Sequence, residues 1–305
     1  MTQSPQHPAA SRGDAPPILA DLSLVVPTLG RPVLRRCLAA IRAGDRWPAR
    51  VIVVDQGSGD EVARLLDQLE AGGIAATHVR SDQRGRSAGL NRGIEQVGTE
   101  LVAITDDDCL AEPDWLRAMH ARLHAHPGAA ITGRVEAEGD GPVVAVVTEH
   151  REVVQRRPSL RFDRLSGGNM GTSRAVLERV GPFDEDARVR TAEDCDWSYR
   201  ALRAGVAIVY APEVCVRHLG WRDAGERSEQ YRDYALSHGG FYGKHLRRGD
   251  GFIAARAALH VGRSARRLLR GLLTGDRERI VHASAYLRGL PLGIVGGLRR
   301  RRREP

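Results

Sequence analysis

The chain has 305 residues, of which 42% are hydrophobic and 28% charged, a balance typical of a globular protein with a substantial core. This composition excludes a disordered chain, a collagen-like protein and a disulfide-stapled miniprotein. The formal net charge of +8 comes from one end, because residues 241–305 contain 16 basic and 4 acidic residues. Residues 1–240 are slightly acidic, so we expect no nucleic-acid partner for the body of the protein.

Cysteine usage and the amino-terminal segment both predict a cytoplasmic protein. The four cysteines form no C-x-x-C pair, which disfavours a zinc ribbon or a redox motif and favours reduced thiols. Residues 1–20 have no apolar segment of the kind found in signal peptides, so we predict a disordered lead-in there.

Short apolar runs alternate with helical patterns in the first half of the chain. The runs cover residues 22–26, 51–55, 74–79 and 101–105, and the helical patterns cover residues 32–43, 61–70 and 87–97. This order predicts an α/β fold, with a mainly parallel sheet covered by helices on both faces. Ligands of such sheets bind at the carboxyl ends of the strands.

The second half of the chain is less regular. We predict helices at residues 115–124, 174–180 and 194–204, and strands at residues 129–135, 143–148 and 206–210. Beyond residue 226 the pattern is helical to the end of the chain. These boundaries predict a domain over residues 21–225, divided near residue 108, and a basic helical extension over residues 226–305.

Carboxylates follow two of the predicted strands. In extended backbone Asp106 and Asp108 project to one side and Asp107 to the other, so the first two are predicted to converge on Mg²⁺ or Mn²⁺ bound to a diphosphate. A solvated acidic turn is the alternative, and the position directly after a strand disfavours it. Asp55 also ends a strand and could accept a hydrogen bond from a nucleoside, or form an Asx turn.

Several groups of residues, in this order, resemble the motifs of the family 2 glycosyltransferases of the GT-A fold. They are residues 24–28 with Arg31, residues 53–58 around Asp55, Gly85 with Ala88 and Asn91, the Asp106 to Asp108 turn, residues 167–171, residues 180–185 and residues 193–205. The resemblance covers roughly two thirds of the chain. It implies an inverting transferase that moves a hexosyl or deoxyhexosyl unit from a nucleoside-diphosphate sugar to a hydroxyl, with Mn²⁺ or Mg²⁺ as cofactor.

The resemblance also implies a nucleotide-binding half up to residue 108, an acceptor half after it, and roles for single side chains. The nucleotide would be contacted by Pro27, Thr28, Arg31, Asp55, Asn91 and Asp106, and the metal ion would be bound by Asp106, Asp108 and His218. The acceptor would be contacted by Asn169, Glu193 and Asp196, and Asp194 would be the catalytic base. The family often has Arg where this chain has Leu90, so we expect Arg84 or Arg86 to supply that cation.

Asp194 has two interpretations. A displacement at the sugar needs a base that takes the proton of the acceptor hydroxyl, and Asp194 matches the family's residue for it. Thr191 to Asp194 also fits a helix-capping box, in which Asp194 would only bond the backbone amide of the N-cap residue. The position of Asp194 after Asn169 and before Gly205, as in the family's order of motifs, favours the catalytic interpretation. Asp196 is the second candidate for an acid or orienting group.

The extension contains a basic amphipathic helix. On a helical wheel, one sector holds Arg256, Arg263, Arg267 and Arg270, and the opposite sector holds Val261, Ala265, Leu268 and Leu272. Residues 289–298 are apolar but too few to span a bilayer, and five arginines follow them. Two interpretations stay open: an anchor on an anionic membrane surface, or a helical subdomain that packs its apolar stripe on the body.

The sequence therefore predicts a glycosyltransferase at the inner face of the cell membrane that acts on a saccharide or lipid-linked saccharide. A nucleotidyltransferase of similar fold is one alternative, although its usual glycine-rich loop after the first strand is missing. A non-enzymatic protein that binds nucleic acid or membranes through the arginine-rich tail is another. It does not explain the carboxylates at the strand ends.

Overall fold

A computed structural model describes residues 15–139, 146–220 and 224–299. Its elements in chain order are β1 (Ile18–Thr28), α1 (Leu34–Arg42), β2 (Trp47–Asp55), α2 (Glu61–Ala71), β3 (Ala76–Arg80), α3 (Arg86–Ile94), β4 (Leu101–Thr105), β5 (Cys109–Ala111), α4 (Trp115–Ala125), β6 (Ala130–Glu138), β7 (Val153–Gln155), β8 (Asn169–Ser173), α5 (Arg174–Val180), a single 3₁₀ turn (Ala187–Val189), α6 (Glu193–Arg203), β9 (Ile208–Leu219), α7 (Ala224–Leu246), α8 (Gly251–Thr274) and α9 (Arg277–Leu298).

The strands of the described residues form one mixed sheet. Its order is β3-β2-β1-β4-β8-β6-β9-β5, and β7 also pairs with β9. Strands β3, β2, β1 and β4 pair in parallel with one another, and β6 pairs in parallel with β9. Strand β8 runs antiparallel between β4 and β6, and β5 and β7 pair antiparallel with β9. The predicted α/β fold with a mostly parallel central sheet is confirmed.

The central strands are apolar because helices cover both faces of the sheet. Every residue of β4 is buried, and so are the last five residues of β2. Helix α1 buries the stripe Leu34, Cys37, Leu38 and Ile41 in the core on one face, and a second core containing Leu90 fills the other. The sheet is therefore shielded from water on both faces, and the carboxyl ends of β1, β2 and β4 open at one edge.

The structure differs from the predicted elements at several points. Strand β1 begins at Ile18, which pairs with Trp47, so residues 18–20 belong to the sheet and not to the lead-in; residues 1–14 lie outside the described ranges. Part of the predicted strand at residues 143–148 also lies outside them, and Val147 forms an isolated bridge with Val135. The predicted strand at residues 206–210 extends to Leu219 as β9.

Strands β5, β7 and β8 were not predicted. Two of them have only three residues each, and β8 reads NMGTS, which has no alternation of apolar and polar side chains. Gly171 of β8 allows Met119 of α4 to pack on the strand, since a Cβ there would lie 2.3 Å from the Met119 sulfur. Packing of this kind leaves no periodic signal in a sequence.

Helices α7, α8 and α9 share a core with the body of the protein. The cluster combines Val189, Ala192 and Tyr199 of the body with Phe241, Ile253, Tyr286 and Leu290 of the three helices. Helices α7 and α9 meet at glycines: a Cβ on Gly293 would lie 2.1 Å from the carbonyl oxygen of Leu236. The apolar residues 289–298 thus contribute to helix packing, and in the described part of the chain no helix is both long and apolar enough to cross a bilayer.

Helix α8 packs with a face that lies between the predicted apolar and basic sectors, so that Val261 is half-buried against the core while Arg267 and Arg270 are exposed. Arg256 is fully buried and its Nη1 lies 2.7 Å from the Asp163 carboxylate, whereas Leu272 is 61% exposed. His260 and Ser264 are buried on the same side as Arg256. The prediction that the apolar stripe packs inward is therefore wrong for Leu272, because the buried carboxylate Asp163 recruits the arginine. Residues 300–303 of the predicted arginine run lie outside the described residues.

Lys244, the only lysine of the chain, connects α7 to α6 through buried ion pairs. Its Nζ lies 2.7 Å from carboxylate oxygens of both Asp184 and Asp196, and all three side chains are buried. His245 and Arg200 also contact Asp196, at 2.9 and 2.8 Å. Burial raises the pKa of Asp196, but the hydrogen bond from His245 and the charges of Lys244 and Arg200 together hold it well below its usual value.

Replacing Lys244 with methionine leaves Asp184 and Asp196 with one cation fewer in a buried place. We expect K244M to lower the free energy of unfolding by about 3–5 kcal/mol, measured by urea denaturation at neutral pH. Arg248 is exposed in the turn just after α7, so R248M serves as the control and should change stability by less than about 0.5 kcal/mol. A K244M protein as stable as R248M would contradict the role given to this network.

Candidate active site

A cavity of about 510 Å³ opens at the carboxyl ends of β1 and β4. Its volume lies in the range of small-molecule sites. Pro27 and Thr28 line it from β1, Gln56 follows β2, and His218 belongs to β9. The lining also includes five acidic residues and four arginines, namely Asp106, Asp107, Asp108, Glu193, Asp194, Arg31, Arg84, Arg86 and Arg190. Such a lining suits a polar ligand that carries charge.

Arg86 bridges the two halves of the cavity. It is the first residue of α3, after Gly85 at a positive φ of 124°, and its Nε lies 2.7 Å from Asp106 Oδ1. Its Nη1 lies 3.0 Å from Glu193 Oε1, at the start of α6. Burial lowers the pKa of Arg86, but the charges of Asp106 and Glu193 raise it by more, so the guanidinium stays protonated. Arg86 Nη2 is buried and has no hydrogen-bond partner among the described residues.

The backbone at Gly167 and Gly168 approaches this bridge closely. A Cβ on Gly167 would lie 2.9 Å from Arg86 Nη1, and a Cβ on Gly168 would lie 2.8 Å from Asp106 Oδ2. Thr105 donates a hydrogen bond to the Gly168 carbonyl at 2.9 Å, which holds the segment at the end of β4. A larger residue at either position would push the segment away from the charged pair.

Glu193 has an unusual protonation equilibrium. Burial raises the pKa of Glu193 to about 7, since the opposing charge of Arg86 only partly compensates and the charge of Asp194 adds to the effect. Glu193 Oε2 is buried without a hydrogen-bond partner in the described part of the chain. Near neutral pH the side chain can therefore hold or release a proton inside the cavity.

Asp194 is oriented by two backbone amides. Its Oδ1 accepts from the Cys195 N–H at 2.7 Å and its Oδ2 accepts from the Gly167 N–H at 3.3 Å. Helix α6 begins at Glu193 without a side-chain cap, and the Thr191 hydroxyl donates instead to the Asp233 carbonyl at 3.3 Å. The capping box is therefore not formed, and Asp194 lines the cavity.

The acidic turn does not follow the predicted alternation. Asp107 lines the cavity, where it accepts from the Thr28 hydroxyl at 2.6 Å and pairs with Arg31. Asp106 is held by Arg86, whereas Asp108 lies 3.2 Å from Arg31 Nη2 and 3.5 Å from His218 Nε2. The prediction that Asp107 faces away from this site is wrong, because the extended strand ends at Thr105 and the next residues form a turn. Joint ligation of a cation by Asp106 and Asp108 stays a prediction.

The ligand atoms of Asp108, Cys109 and His218 lie within 4.8 Å of one another. Pairing of β5 with β9 sets Cys109 opposite His218, and the ring Nδ1 of His218 is buried without a partner among the described residues. Burial and the charges of Asp106 and Asp108 raise the pKa of the Cys109 thiol, which disfavours the thiolate. The carboxylate and the imidazole are the donors that fit a divalent cation here, and this set suits Mn²⁺.

The structure contradicts three predicted contacts, because those side chains are already saturated. Asn91 exchanges hydrogen bonds of 2.9 Å with the backbone of Phe183. Asn169 is fully buried, donates to the Arg134 and Val214 carbonyls at 2.9 Å each, and accepts from the Trp115 indole at 2.8 Å. Asp196 lies in the buried network of Lys244. None of the three lines the cavity, so the prediction of nucleotide contact for Asn91 and acceptor contact for Asn169 and Asp196 is wrong.

Asp55 forms the Asx turn that the sequence left as an alternative. Its Oδ1 accepts from the Gly57 N–H at 2.9 Å, and its Oδ2 lies 3.0 Å from His78 Nε2. The side chain is 1% exposed and is not part of the cavity lining, where the neighbouring Gln56 stands instead. Nucleoside recognition by Asp55 stays a prediction.

Two lining residues had no local signal in the sequence. Tyr234 reaches the cavity from α7, and Arg190 reaches it from the segment before α6, where it pairs with Asp233 at 2.6 Å. Both positions depend on the way α7 packs on the body. The glycines at 167 and 168, by contrast, were visible in the sequence as part of a motif.

The chain is similar in sequence and in fold to known glycosyltransferases. Residues 17–233 match the family model described as glycosyltransferase like family 2. Glycosyltransferase AglE of Haloferax volcanii is 27% identical over 210 residues, which cover 65% of this chain and 66% of AglE, just under two thirds of that relative. The O-antigen chain rhamnosyltransferase RfbN of Salmonella typhimurium is 24% identical over 228 residues, with 71% and 72% covered.

Among solved structures, the mannosyltransferase PcManGT from Pyrobaculum calidifontis, in complex with GDP-Man and Mn²⁺, has the same fold. Its TM-score to this chain is 0.58 at 20% identity, with 92% of this chain and 87% of that chain covered.

The raised pKa of Glu193 predicts a pH-dependent stability. Between about pH 4.5 and pH 7 the folded protein keeps a proton on Glu193 that the unfolded chain has already lost. The contribution of Glu193 to the free energy of unfolding is therefore largest at low pH and falls as the pH rises from about 4.5 to above 7. We expect the stability of E193Q relative to the natural protein to rise over this window by about 2–3 kcal/mol, measured by urea denaturation between pH 5 and 8.5. Glu178 is exposed, and E178Q should show no such trend. A constant difference between E193Q and the natural protein would contradict the assignment.

Proposed function

This chain belongs to glycosyltransferase family 2, and we propose that it moves a sugar from a nucleoside-diphosphate sugar to a hydroxyl acceptor with inversion. One observation carries the proposal: a cavity of about 510 Å³ places the Asp108 and His218 pair and the accessible carboxylate Asp194 around one space. Its size suits a nucleotide sugar. A nucleotidyltransferase would release pyrophosphate, so the release of a nucleoside diphosphate separates the two activities.

Asp108 and His218 would hold Mn²⁺ or Mg²⁺, whose charge stabilises a diphosphate leaving group. Arg31 stands beside Asp108 at 3.2 Å, and Arg84 also lines the cavity. These two cations could contact the same phosphates. Thr28 and Asp107 support this side of the cavity, because together they hold Arg31 against the turn. Pro27 and Thr28 would lie under the nucleotide.

Asp194 would take the proton of the acceptor hydroxyl as that oxygen attacks the sugar from the face opposite the leaving group. The two amides at Cys195 and Gly167 fix the carboxylate in one orientation and leave its remaining lone pairs toward the cavity. Glu193 stands beside it with a pKa raised by burial to about 7, and would contact the acceptor in its protonated form as a hydrogen-bond donor. Arg86 lies between Glu193 and Asp106 and contacts both carboxylates.

The relatives support a role in cell-envelope glycan synthesis. AglE is a glycosyltransferase, RfbN acts on the O-antigen chain as a rhamnosyltransferase, and PcManGT is a mannosyltransferase in complex with GDP-Man and Mn²⁺. A hexosyl or deoxyhexosyl donor and a saccharide or lipid-linked saccharide acceptor follow for this chain by analogy.

An anionic membrane surface is the further partner that we propose, at the inner face of the cell membrane. Leu269, Leu272 and Leu273 at the end of α8 are 58%, 61% and 78% exposed. Arg270 lies between Leu269 and Leu272 in the sequence and Arg277 follows Leu273, and both arginines are exposed. Apolar side chains beside arginines suit the boundary between the headgroups and acyl chains of anionic lipids. A lipid-linked acceptor would bring the cavity to the same surface.

The catalytic assignment predicts that D194N loses turnover and keeps its donor. We expect kcat to fall by about 10²–10⁴-fold, the usual worth of a general base, while donor affinity changes less than about twofold. Turnover is measured as nucleoside-diphosphate release from a panel of nucleotide sugars with a membrane extract as acceptor. D114N, at an exposed aspartate near α4, is the control. Turnover of D194N within tenfold of the D114N protein would overturn the assignment.

The membrane proposal predicts co-sedimentation with vesicles that contain phosphatidylglycerol. Replacing Leu272 and Leu273 by serine removes two apolar side chains, and we expect the bound fraction to correspond to an affinity at least about tenfold lower. V154S, at an exposed valine of β7, is the matched control and should bind like the natural protein. Equal binding of the double variant and V154S would contradict the assignment of this surface.

A further inference from the structure

A second cluster of ligand-type side chains lies away from the cavity. It consists of Asp21 on β1 and of His120 and His124 on α4. Asp21 precedes Thr28, the last residue of β1, by seven positions, which corresponds to about 23 Å along a strand. The cluster therefore stands toward the opposite edge of the sheet, and the transferase chemistry makes no use of it.

The three side chains converge closely. His120 and His124 are four residues apart on α4 and so share one face of the helix. His120 Nε2 lies 2.8 Å from Asp21 Oδ1, and His124 Nε2 lies 2.9 Å from Asp21 Oδ2. The two Nε2 atoms lie 3.1 Å apart, and the rings meet edge to face at 67°.

The three side chains form a compact group of lone-pair donors. With protons on both Nε2 atoms, the two rings donate side by side to the two oxygens of Asp21, and no bond forms between the Nε2 atoms, which lie 3.1 Å apart. With the ring protons on the Nδ1 atoms instead, both Nε2 atoms and the carboxylate present lone pairs toward one point, which is the arrangement that a metal ion requires.

A cation between these atoms would be bound by one lone pair from each side chain. We propose that Asp21, His120 and His124 form a site for Zn²⁺ or a similar transition-metal ion. Bonds of about 2.0–2.1 Å in tetrahedral geometry place the ligand atoms about 3.3 Å apart, close to the observed spacing. Two imidazoles disfavour Mg²⁺ and Ca²⁺, which prefer oxygen ligands.

The site is open on one side and joins two elements. His124 is 57% exposed, so water can reach a fourth position. Asp21 belongs to the strand at the centre of the parallel part of the sheet, and α4 packs across β4, β6, β8 and β9. A bound ion would tie β1 to α4 and stabilise the folded state, since the unfolded chain does not hold the three ligands together.

The test measures Zn²⁺ affinity by calorimetry in the full chain that carries D108N and H218Q, so that the cavity cannot supply the binding. Into this background we introduce H124A, D21N or, as the control, H126A. His126 lies just after α4, 3.9 Å from Glu152, and is not a member of the cluster. Melting curves without metal verify that each variant is folded.

We expect one Zn²⁺ per chain and a higher melting temperature with Zn²⁺ in the background protein and in H126A. H124A and D21N should each weaken binding more than about 100-fold, since even the loss of an outer-shell partner costs 10–100-fold. Co²⁺ should give the visible absorption of a tetrahedral site in the same two proteins only. Absence of Zn²⁺ binding in the folded background protein, or equal affinity in H124A, D21N and H126A, would overturn the proposal, and neither result bears on the transferase activity.

Discussion

The contact of Arg86 with Asp106 and Glu193 is the interaction on which the cavity depends. The two carboxylates come from the end of β4 and the start of α6, and without a cation between them they would repel each other across a space shielded from water. Gly167 and Gly168 let the backbone close over this bridge, and the Gly167 amide then orients Asp194. On the other side of the cavity, Arg31 pairs with Asp107 and Asp108 and so offsets the repulsion between these two carboxylates. The cavity can gather five acidic side chains because each cluster of them has its own guanidinium.

The C-terminal helices are a structural part of the catalytic body. Lys244 pairs with Asp196 and His245 contacts it, inside α6, the helix that carries Glu193 and Asp194, and Tyr234 of α7 reaches the cavity itself. Arg256 of α8 pairs with Asp163, three residues before Ser166 in the cavity lining. Some of the basic residues at this end of the chain therefore form ion pairs with buried carboxylates. The exposed leucines of α8 take no part in this packing and are available for the proposed contact with a membrane surface.

Sequence predicted the fold better than it predicted single contacts. Four apolar runs and their spacing are enough to predict β1 to β4, because strands buried on both faces have a strong signal, whereas the glycine-rich β8 has none. Motif positions located the cavity, but they could not tell which side chains face it. Asn91 and Asn169 satisfy backbone groups of distant segments, and Asp196 binds Lys244 from 48 residues later. A helical wheel likewise cannot predict which face of α8 packs inward, because it does not show that Arg256 pairs with the buried carboxylate of Asp163.

The central claim is that Asp108 belongs to a cation-dependent nucleotide site, and thermal stability tests it most directly. Melting temperatures would be measured with UDP, GDP, dTDP and CDP, each with Mn²⁺ or with EDTA, for the natural protein, D108N and the exposed-site control D114N. We expect that one nucleotide stabilises the natural protein and D114N, that EDTA abolishes the effect, and that D108N shows none. Equal stabilisation in EDTA or in D108N, or no stabilisation by any of the four, would contradict this claim.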